Sequence, residues 1–277
     1  MLKSQHLPES YSAWQLLDKL AQHQQLIFSL IRREVQARYQ GSLLGLFWAI
    51  ANPVLMLTVY TFVFSVVFKA RWNAASESKA EFALVLFIGM AIFGIFSECL
   101  SKAPASITAN TNYVKKVVFP LEIIAIVNLG AACFHFALSF LVWLVFYLLC
   151  FGVPPATAWQ LPFALLPLLT LSLGFSWFFS ALGVYLRDIQ QVVMVLTVVL
   201  SFLSPIYYPL QALPVEFRAV LAWSPLALII EQSRNLLIWG KPVDWMACLI
   251  LNLVCAGLAW LGYVWFQKTR KGFADVL

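Results

Sequence analysis

The sequence predicts an all-α integral membrane protein with six transmembrane helices, an N-terminal amphipathic interface helix, a cytoplasmic helix between spans two and three, and a re-entrant periplasmic helical hairpin before span six. Three observations predict it. The 277 residues are 62% hydrophobic and only 11% charged, which no water-soluble globular domain sustains. Apolar runs of 19 residues or more lack an alternating polar face, and a backbone without water partners then satisfies itself only as helix, so a barrel is excluded. The lysines and arginines also fall asymmetrically between the runs, the mark of an oriented polytopic chain.

Residues 1–42 read as a cytoplasmic tail and interface helix. Trp14, Leu17, Leu20, Ile27, Leu30, Ile31 and Val35 recur near helical spacing, with Gln22, Arg32, Arg33 and Arg38 on other faces. The polar, mixed start does not read as a signal peptide, so the first span is expected to stay and set the orientation. At ~1.5 Å per residue a ~30 Å crossing takes about 20 residues. Four spans are clean on that measure: 43–68, 82–100, 161–186 and 245–266. Leu121 to Phe151 is over-long and reads as tilted, while Ile189 to Leu203 is short and must extend toward Leu210.

The stretch 211–242 is apolar but broken by prolines and carries Glu216, Arg218, Glu231 and Arg234. A seventh crossing there would put two arginines and a glutamate into lipid at ~2.5–3.5 kcal/mol each. With six crossings and both termini cytoplasmic, twelve lysines and arginines lie inside against six outside, the expected bias. The broken stretch then reads as two short helices, Val215 to Trp223 and Leu226 to Trp239, with Ser224 and Pro225 as N-cap and first residue of the second. Residues 101–120 form an inner loop and 267–277 a cytoplasmic tail.

The formal charge of +6 is accounted for by topology, so no nucleic-acid partner is read from it. Cys99, Cys133, Cys150, Cys248 and Cys255 all lie in apolar runs without ligand spacing, which argues against a disulfide framework or a metal site. No GxxxxGK[ST], GxGxxG, HExxH or GxSxG occurs, so no catalytic or nucleotide site is expected; uphill transport would draw on a partner, an ion gradient or the membrane potential.

Deep polar groups are few. Asn128 and His135, seven apart on one face, read as interhelical hydrogen-bonding groups, and Glu98 and Glu122 as carboxylates reaching the inner interface. Asn52 before Pro53 reads as serving a helix kink. Trp72, Trp159, Trp239 and Trp245 suit the aromatic belt. Phe134, Trp143, Phe175 and Trp177 lie within spans, where packing is the ordinary role and stacking on passing sugar rings the functional alternative.

The inner loop holds the most informative stretch, "NTNYVKKVVFPLE". Lys115 and Lys116 need only headgroup anchoring, about 1 kcal/mol each. That leaves unexplained a helix-sized segment, Pro104 to Phe119, where a turn of a few residues would suffice. A short amphipathic helix held at the inner surface is what a docking element for a cytoplasmic partner looks like. On the residues alone three classes stay open: an exporter driven by a separate ATPase, a polytopic enzyme acting on a lipid-linked sugar, and a gradient-driven carrier. Asp188, the one acid in its loop, is poor material for the enzyme.

The chain resembles the permease subunits of ABC-2 type exporters of polysaccharides or polyol phosphates, the group serving O-antigen, capsule and teichoic acid export. The resemblance lies in "RREVQARYQGSLLGLFWAIANPVLMLTVYTFVF", "NTNYVKKVVFP", "YLRDI", "SPIYYPLQALP" and "GFADVL", in that order over nearly the whole chain. The family often continues Phe-Pro with Arg-Glu; here Leu121-Glu122 follows, so no role of that arginine is carried over. The resemblance implies a bacterial inner-membrane homodimer with two copies of an ATPase subunit that uses ATP and Mg, and a lipid-linked polysaccharide as cargo. This chain would bind no cofactor itself. It implies a coupling helix with Tyr113, Lys115, Lys116 and Phe119 meeting the ATPase. Arg32, Arg33 and Arg38 are expected near lipid headgroups or the cargo pyrophosphate, and Tyr207, Tyr208, Phe217 and Trp223 at a periplasmic gate.

Overall fold

The computed structural model describes residues 13–42, 44–63, 72, 79–114 and 119–277, and these are helical almost throughout. The N-terminal pattern forms two helices, α1 (Ala13–Gln22) and α2 (Gln24–Tyr39), broken at His23. Then follow α3 (Trp48–Tyr60), α4 (Lys79–Ser106), the four-residue α5 (Thr111–Val114), α6 (Ile123–Phe151), α7 (Leu161–Tyr185), α8 (Ile189–Leu203), α9 (Val215–Ala222), α10 (Pro225–Leu237), α11 (Trp245–Thr269) and α12 (Phe273–Val276). Among the described residues four helices, α4, α6, α7 and α11, are long and apolar enough to cross a membrane. The expected first span coincides in part with the apolar helix Trp48–Val63; residues 43 and 64–68 lie outside the described residues.

Three boundaries differ from the sequence reading, each for a local reason. α4 runs on to Ser106, so Pro104 sits in its last turn instead of opening a new helix. Pro104 to Phe119 is accordingly no single helix. After α4 come a tight turn at Thr108–Asn110 and then α5. Thr108 Oγ1 donates to the Ala105 carbonyl at 3.1 Å and Asn110 Nδ2 to that of Ser106 at 2.9 Å, side-chain bonds that compete with helix continuation. α8 stops at Leu203 because Pro205 disfavours helix at the residue before it. Its 15 residues reach about 22 Å and do not extend to Leu210. The hairpin helices fall within two residues of expectation; Ser224 and Pro225 hold the expected positions, but the Ser224 side chain makes no capping bond. Asp244, not singled out in the sequence, caps α11 by accepting from the Met246 and Ala247 amides at 3.1 Å each.

α7 is the central helix, packed against α4, α6, α10 and α11. Pro167 inside it frees the Phe163 carbonyl, which accepts a weak bond from Cys248 Sγ at 3.7 Å. α7 and α11 meet through small residues, as helices without a hydrophobic driving force between them must. A Cβ on Gly174 would lie 2.6 Å from the Ala259 Cα, and one on Gly262 would collide with the Gly174 carbonyl. Backbone cannot yield as a side chain can. Gly174→Val is therefore expected to cost at least the ~1–3 kcal/mol of overpacking and to lower the melting temperature and the monodisperse yield in detergent. Gly257→Ala on α11, whose Cβ meets nothing within 4 Å, is expected to change neither.

Apolar side chains outside this core face outward on α3, α8 and α11, among them Leu55, Val195, Val199, Leu253 and Leu261. The bundle has two chemically distinct ends. The basic end gathers α1, α2, the turn into α6 and the tail after α11; the hairpin end carries α9 and α10.

Candidate functional site

At the basic end, three of the expected coupling and headgroup residues, Tyr113, Phe119 and Arg33, meet in one cluster. Tyr113 stacks on Phe119 with ring centres 4.3 Å apart and planes 8° from parallel. Arg33 donates to the Tyr113 hydroxyl at 2.9 Å, so α2 grips α5 directly. Lys115 and Lys116 lie outside the described residues. Arg32 is exposed and has no partner among the described residues.

Beside this, Glu122 precedes α6 with only 1% of its side chain exposed. It does not reach an interface as the sequence suggested. It pairs with Lys19 of α1 at 3.3 Å and with Arg270 beyond α11 at 2.9 Å, while Arg270 also donates to the Phe119 carbonyl at 3.2 Å. A carboxylate removed from water needs such partners. The Phe119-Pro120 corner is thereby fastened to both terminal segments of the chain.

A second polar cluster joins α2, α4 and α6. Arg38 reaches Glu98 and His135 at 3.0 Å each, His135 Nδ1 reaches Glu98 at 2.9 Å, and Lys102 bridges Glu98 at 3.1 Å and Glu34 at 2.9 Å. His135 thus bonds across to α4, as an interhelical group should. Of these groups Arg38, Glu98 and His135 line a cavity of about 240 Å³ between α2, α3, α4 and α6, whose apolar side includes Pro53, Met56, Phe87 and Ile95. Asn52, read as serving a kink, lines it too. Burial raises the Tyr39 hydroxyl above its ordinary pKa, so it stays a neutral donor and acceptor beside the Arg38 and Glu98 pair.

The in-span aromatics divide. Trp143 is wholly enclosed and donates Nε1–H to the Leu84 carbonyl at 3.1 Å; Trp177 is 3% exposed and donates to the Glu122 carbonyl at 3.0 Å. Both tie helices together inside one chain and present no surface to a channel, so the channel role is withdrawn for them. Phe175 is half-buried edge-on against Phe96, and Phe134 is half-buried beside His135.

At the hairpin end the expected gate residues do not form one group. Tyr207 lies against Phe202 and Tyr208 donates to the Phe202 carbonyl at 2.6 Å, both just beyond α8. Phe217 and Trp223 project outward from α9 and the turn after it, 62% and 85% exposed.

What organises this end is a residue that the sequence places in the second hairpin helix without assigning it a role. Arg234 of α10 is fully buried. Nε donates to the Val85 carbonyl in α4 at 3.0 Å, Nη1 to Pro205 and Nη2 to Ile206 at 2.9 Å, just past α8. Its guanidinium lies 4.3 Å from the ring centre of Trp72, and Glu231 stands 3.6 Å away. Burial pulls its pKa down to about 10, which leaves it charged at neutral pH. The signal was in the helical period: Leu226, Ile230 and Leu237, one turn apart on the buried face, flank Arg234.

The chain matches the profile of the family described as ABC-2 type transporter over residues 25–238. It is 26% identical over 254 residues to an O-antigen export system permease protein of Klebsiella pneumoniae, covering 91% of this chain and 95% of that one. To the O-antigen export system permease protein of Myxococcus xanthus it is 27% identical over 262 residues, 94% and 98% of the two chains. A polysialic acid transport protein of Escherichia coli is 26% identical over 239 residues, 83% and 90%. The matched region runs from the start of α2 to the end of α10 and so contains the Arg38, Glu98, Lys102 and His135 cluster, Glu122 and the buried arginine, but not Lys19 or Arg270. The chain belongs to the ABC-2 type transporter family.

Proposed function

We propose that this chain is the channel-forming permease subunit of an ATP-driven exporter that moves a lipid-linked polysaccharide, such as O-antigen or capsule, across the bacterial inner membrane. The observation that carries it is the near full-length likeness to proteins named for O-antigen export and polysialic acid transport. A chain without a nucleotide motif of its own needs a separate ATPase, which would use ATP and Mg. In this reading α3 and α8 complete six crossings with α4, α6, α7 and α11, both termini are cytoplasmic, and two copies of the chain pair with two ATPase subunits. The basic end faces the cytoplasm, in keeping with the bias of lysine and arginine. The Tyr113 and Phe119 stack receives the ATPase stroke, and the Arg270 and Glu122 ties carry it to α6 and α11. The α9–α10 hairpin gates the outer end.

Purification in mild detergent from cells carrying the whole export operon is expected to recover a Walker-A ATPase in equal amount with this chain. Export should continue when the proton gradient is collapsed at constant ATP. A purified chain free of ATPase, or export that stops with the gradient, would count against the reading. Tyr113→Ala with Phe119→Ala is expected to cut both ATPase recovery and export severalfold while membrane insertion is retained.

A further inference from the structure

We infer that the cavity between α2, α3, α4 and α6 is a binding subsite for a single neutral sugar ring of the cargo; this rests on the exporter reading above and names which part of the substrate the site takes. The deciding observation is its charge balance. Arg38 was expected to meet a pyrophosphate, but its guanidinium is already committed to Glu98, and Lys102 to Glu98 and Glu34. In the cavity wall one cation, Arg38, faces one carboxylate, Glu98, and Lys102 behind them is paired with Glu98 and Glu34, so a pyrophosphate entering beside Glu98 would meet a like charge with no surplus of positive charge to offset it. Sugar hydroxyls suit the same groups. Each hydroxyl donates once and accepts twice, so it can give its proton to Glu98 and take one from Arg38, whose five N–H donors exceed its present bonds. His135 lines the same wall beside them.

Size and shape agree. About 240 Å³ holds roughly eight waters at ~30 Å³ each, room enough for one pyranose ring. Trp48 and Tyr39 supply aromatic surface for the C–H faces of the ring, and Asn52 supplies both a donor and an acceptor. Arg38 and Tyr39 of α2 line the polar part of the site, at the basic end, where a glycan joined to its lipid would first meet the bundle. A subsite there would select by sugar identity before the chain is threaded.

The test is saturation-transfer NMR on the permease–ATPase complex in nanodiscs without ATP, with free glucose, galactose, mannose, rhamnose and N-acetylglucosamine as separate probes and inorganic pyrophosphate as the competitor. At least one sugar is expected to show transfer to its ring protons that pyrophosphate does not displace. Glu98→Gln should weaken this roughly tenfold or more, as loss of a charge-assisted acceptor does. Asn52→Ala, which leaves the ion pairs intact, should weaken it severalfold and guards against a folding defect in the first variant. Overturning results are no transfer from any of the sugars, transfer unchanged in both variants, or displacement by pyrophosphate. Export by the same complexes in vesicles is read in parallel: a wild-type complex that exports no glycan sinks the exporter reading, whereas export unchanged in Asn52→Ala and Glu98→Gln without sugar transfer sinks only the subsite.

Discussion

Arg234→Met is expected to give a protein that inserts but unfolds at a much lower temperature and exports little or no glycan. The arginine lies within the bundle with none of its side chain exposed, and its bonds go to three backbone carbonyls in two other parts of the chain, Val85 in α4 and Pro205 and Ile206 beyond α8. Methionine fills much of the volume but satisfies none of them. The Val85 oxygen lies within α4 and keeps its place in the helical ladder; those of Pro205 and Ile206 lie past the end of α8. Leaving buried acceptors unpaired costs ~1–3 kcal/mol each, and loss of the stacking on Trp72 adds about 1–2. The sum is a large share of the ~5–15 kcal/mol that holds an ordinary domain together.

Arg234→Lys should recover little, because one ammonium on a flexible stem cannot serve positions that the planar fork reaches from Nε, Nη1 and Nη2 together. Gly89→Leu tests the same contact from the other side, since even a Cβ there collides with the guanidinium. Thermal unfolding followed by fluorescence-detected size exclusion, with export read in cells, checks the set. An Arg234→Met protein with wild-type melting and wild-type export would refute the role. The functional stake is that Arg234 fastens the hairpin to α4 and α8 at once, so its loss frees the proposed gate from the helices meant to move it.

Much of this architecture could be read in the chain because lipid leaves so few options. The spans at 82–100, 161–186 and 245–266 coincide with α4, α7 and α11, and the hairpin helices were placed to within two residues by Ser224, Pro225 and the spacing of apolar side chains. Hydropathy reports only what each residue contributes alone, however. Arg234 reads as one more charge on a short hairpin helix because its partners are backbone carbonyls, one of them 149 residues away, and carbonyls carry no sequence signature. Glu98, His135 and Arg38 were each visible singly, yet their meeting depends on how α2 lies across α4 and α6. Trp143 and Trp177 show the converse: composition could not tell an indole aimed at a neighbouring carbonyl from one facing a channel.

The second large effect is expected at Glu122, and it should be asymmetric. The carboxylate is 1% exposed, whereas Lys19 and Arg270 are 36% and 32% exposed. Glu122→Gln leaves two cations that can still turn to water, and glutamine keeps a carbonyl oxygen toward them, so the cost should be modest, of order 1–2 kcal/mol. Removing the cations is different. With Arg270→Met alone, Lys19 still faces the carboxylate; with Lys19→Met alone, Arg270 does. With both replaced, a buried negative charge stands without a partner, a situation that costs ~3–5 kcal/mol when one side of a buried pair is deleted. The double variant should therefore lose clearly more stability than the two single variants added together, the signature of coupling through one shared group. Adding Glu122→Gln to that double variant should restore stability, because it removes the unpaired charge itself. Melting temperatures of these five proteins in one detergent decide the matter: additive losses, or no rescue by the third substitution, would mean that Glu122 is not the knot joining α1, the start of α6 and the tail after α11. In the exporter that knot sits directly behind the Phe119-Pro120 corner, so the rescued triple variant carries a sharper expectation for transport. It should regain its fold but not its coupling, hydrolysing ATP with its partner while exporting less glycan per ATP than the wild type.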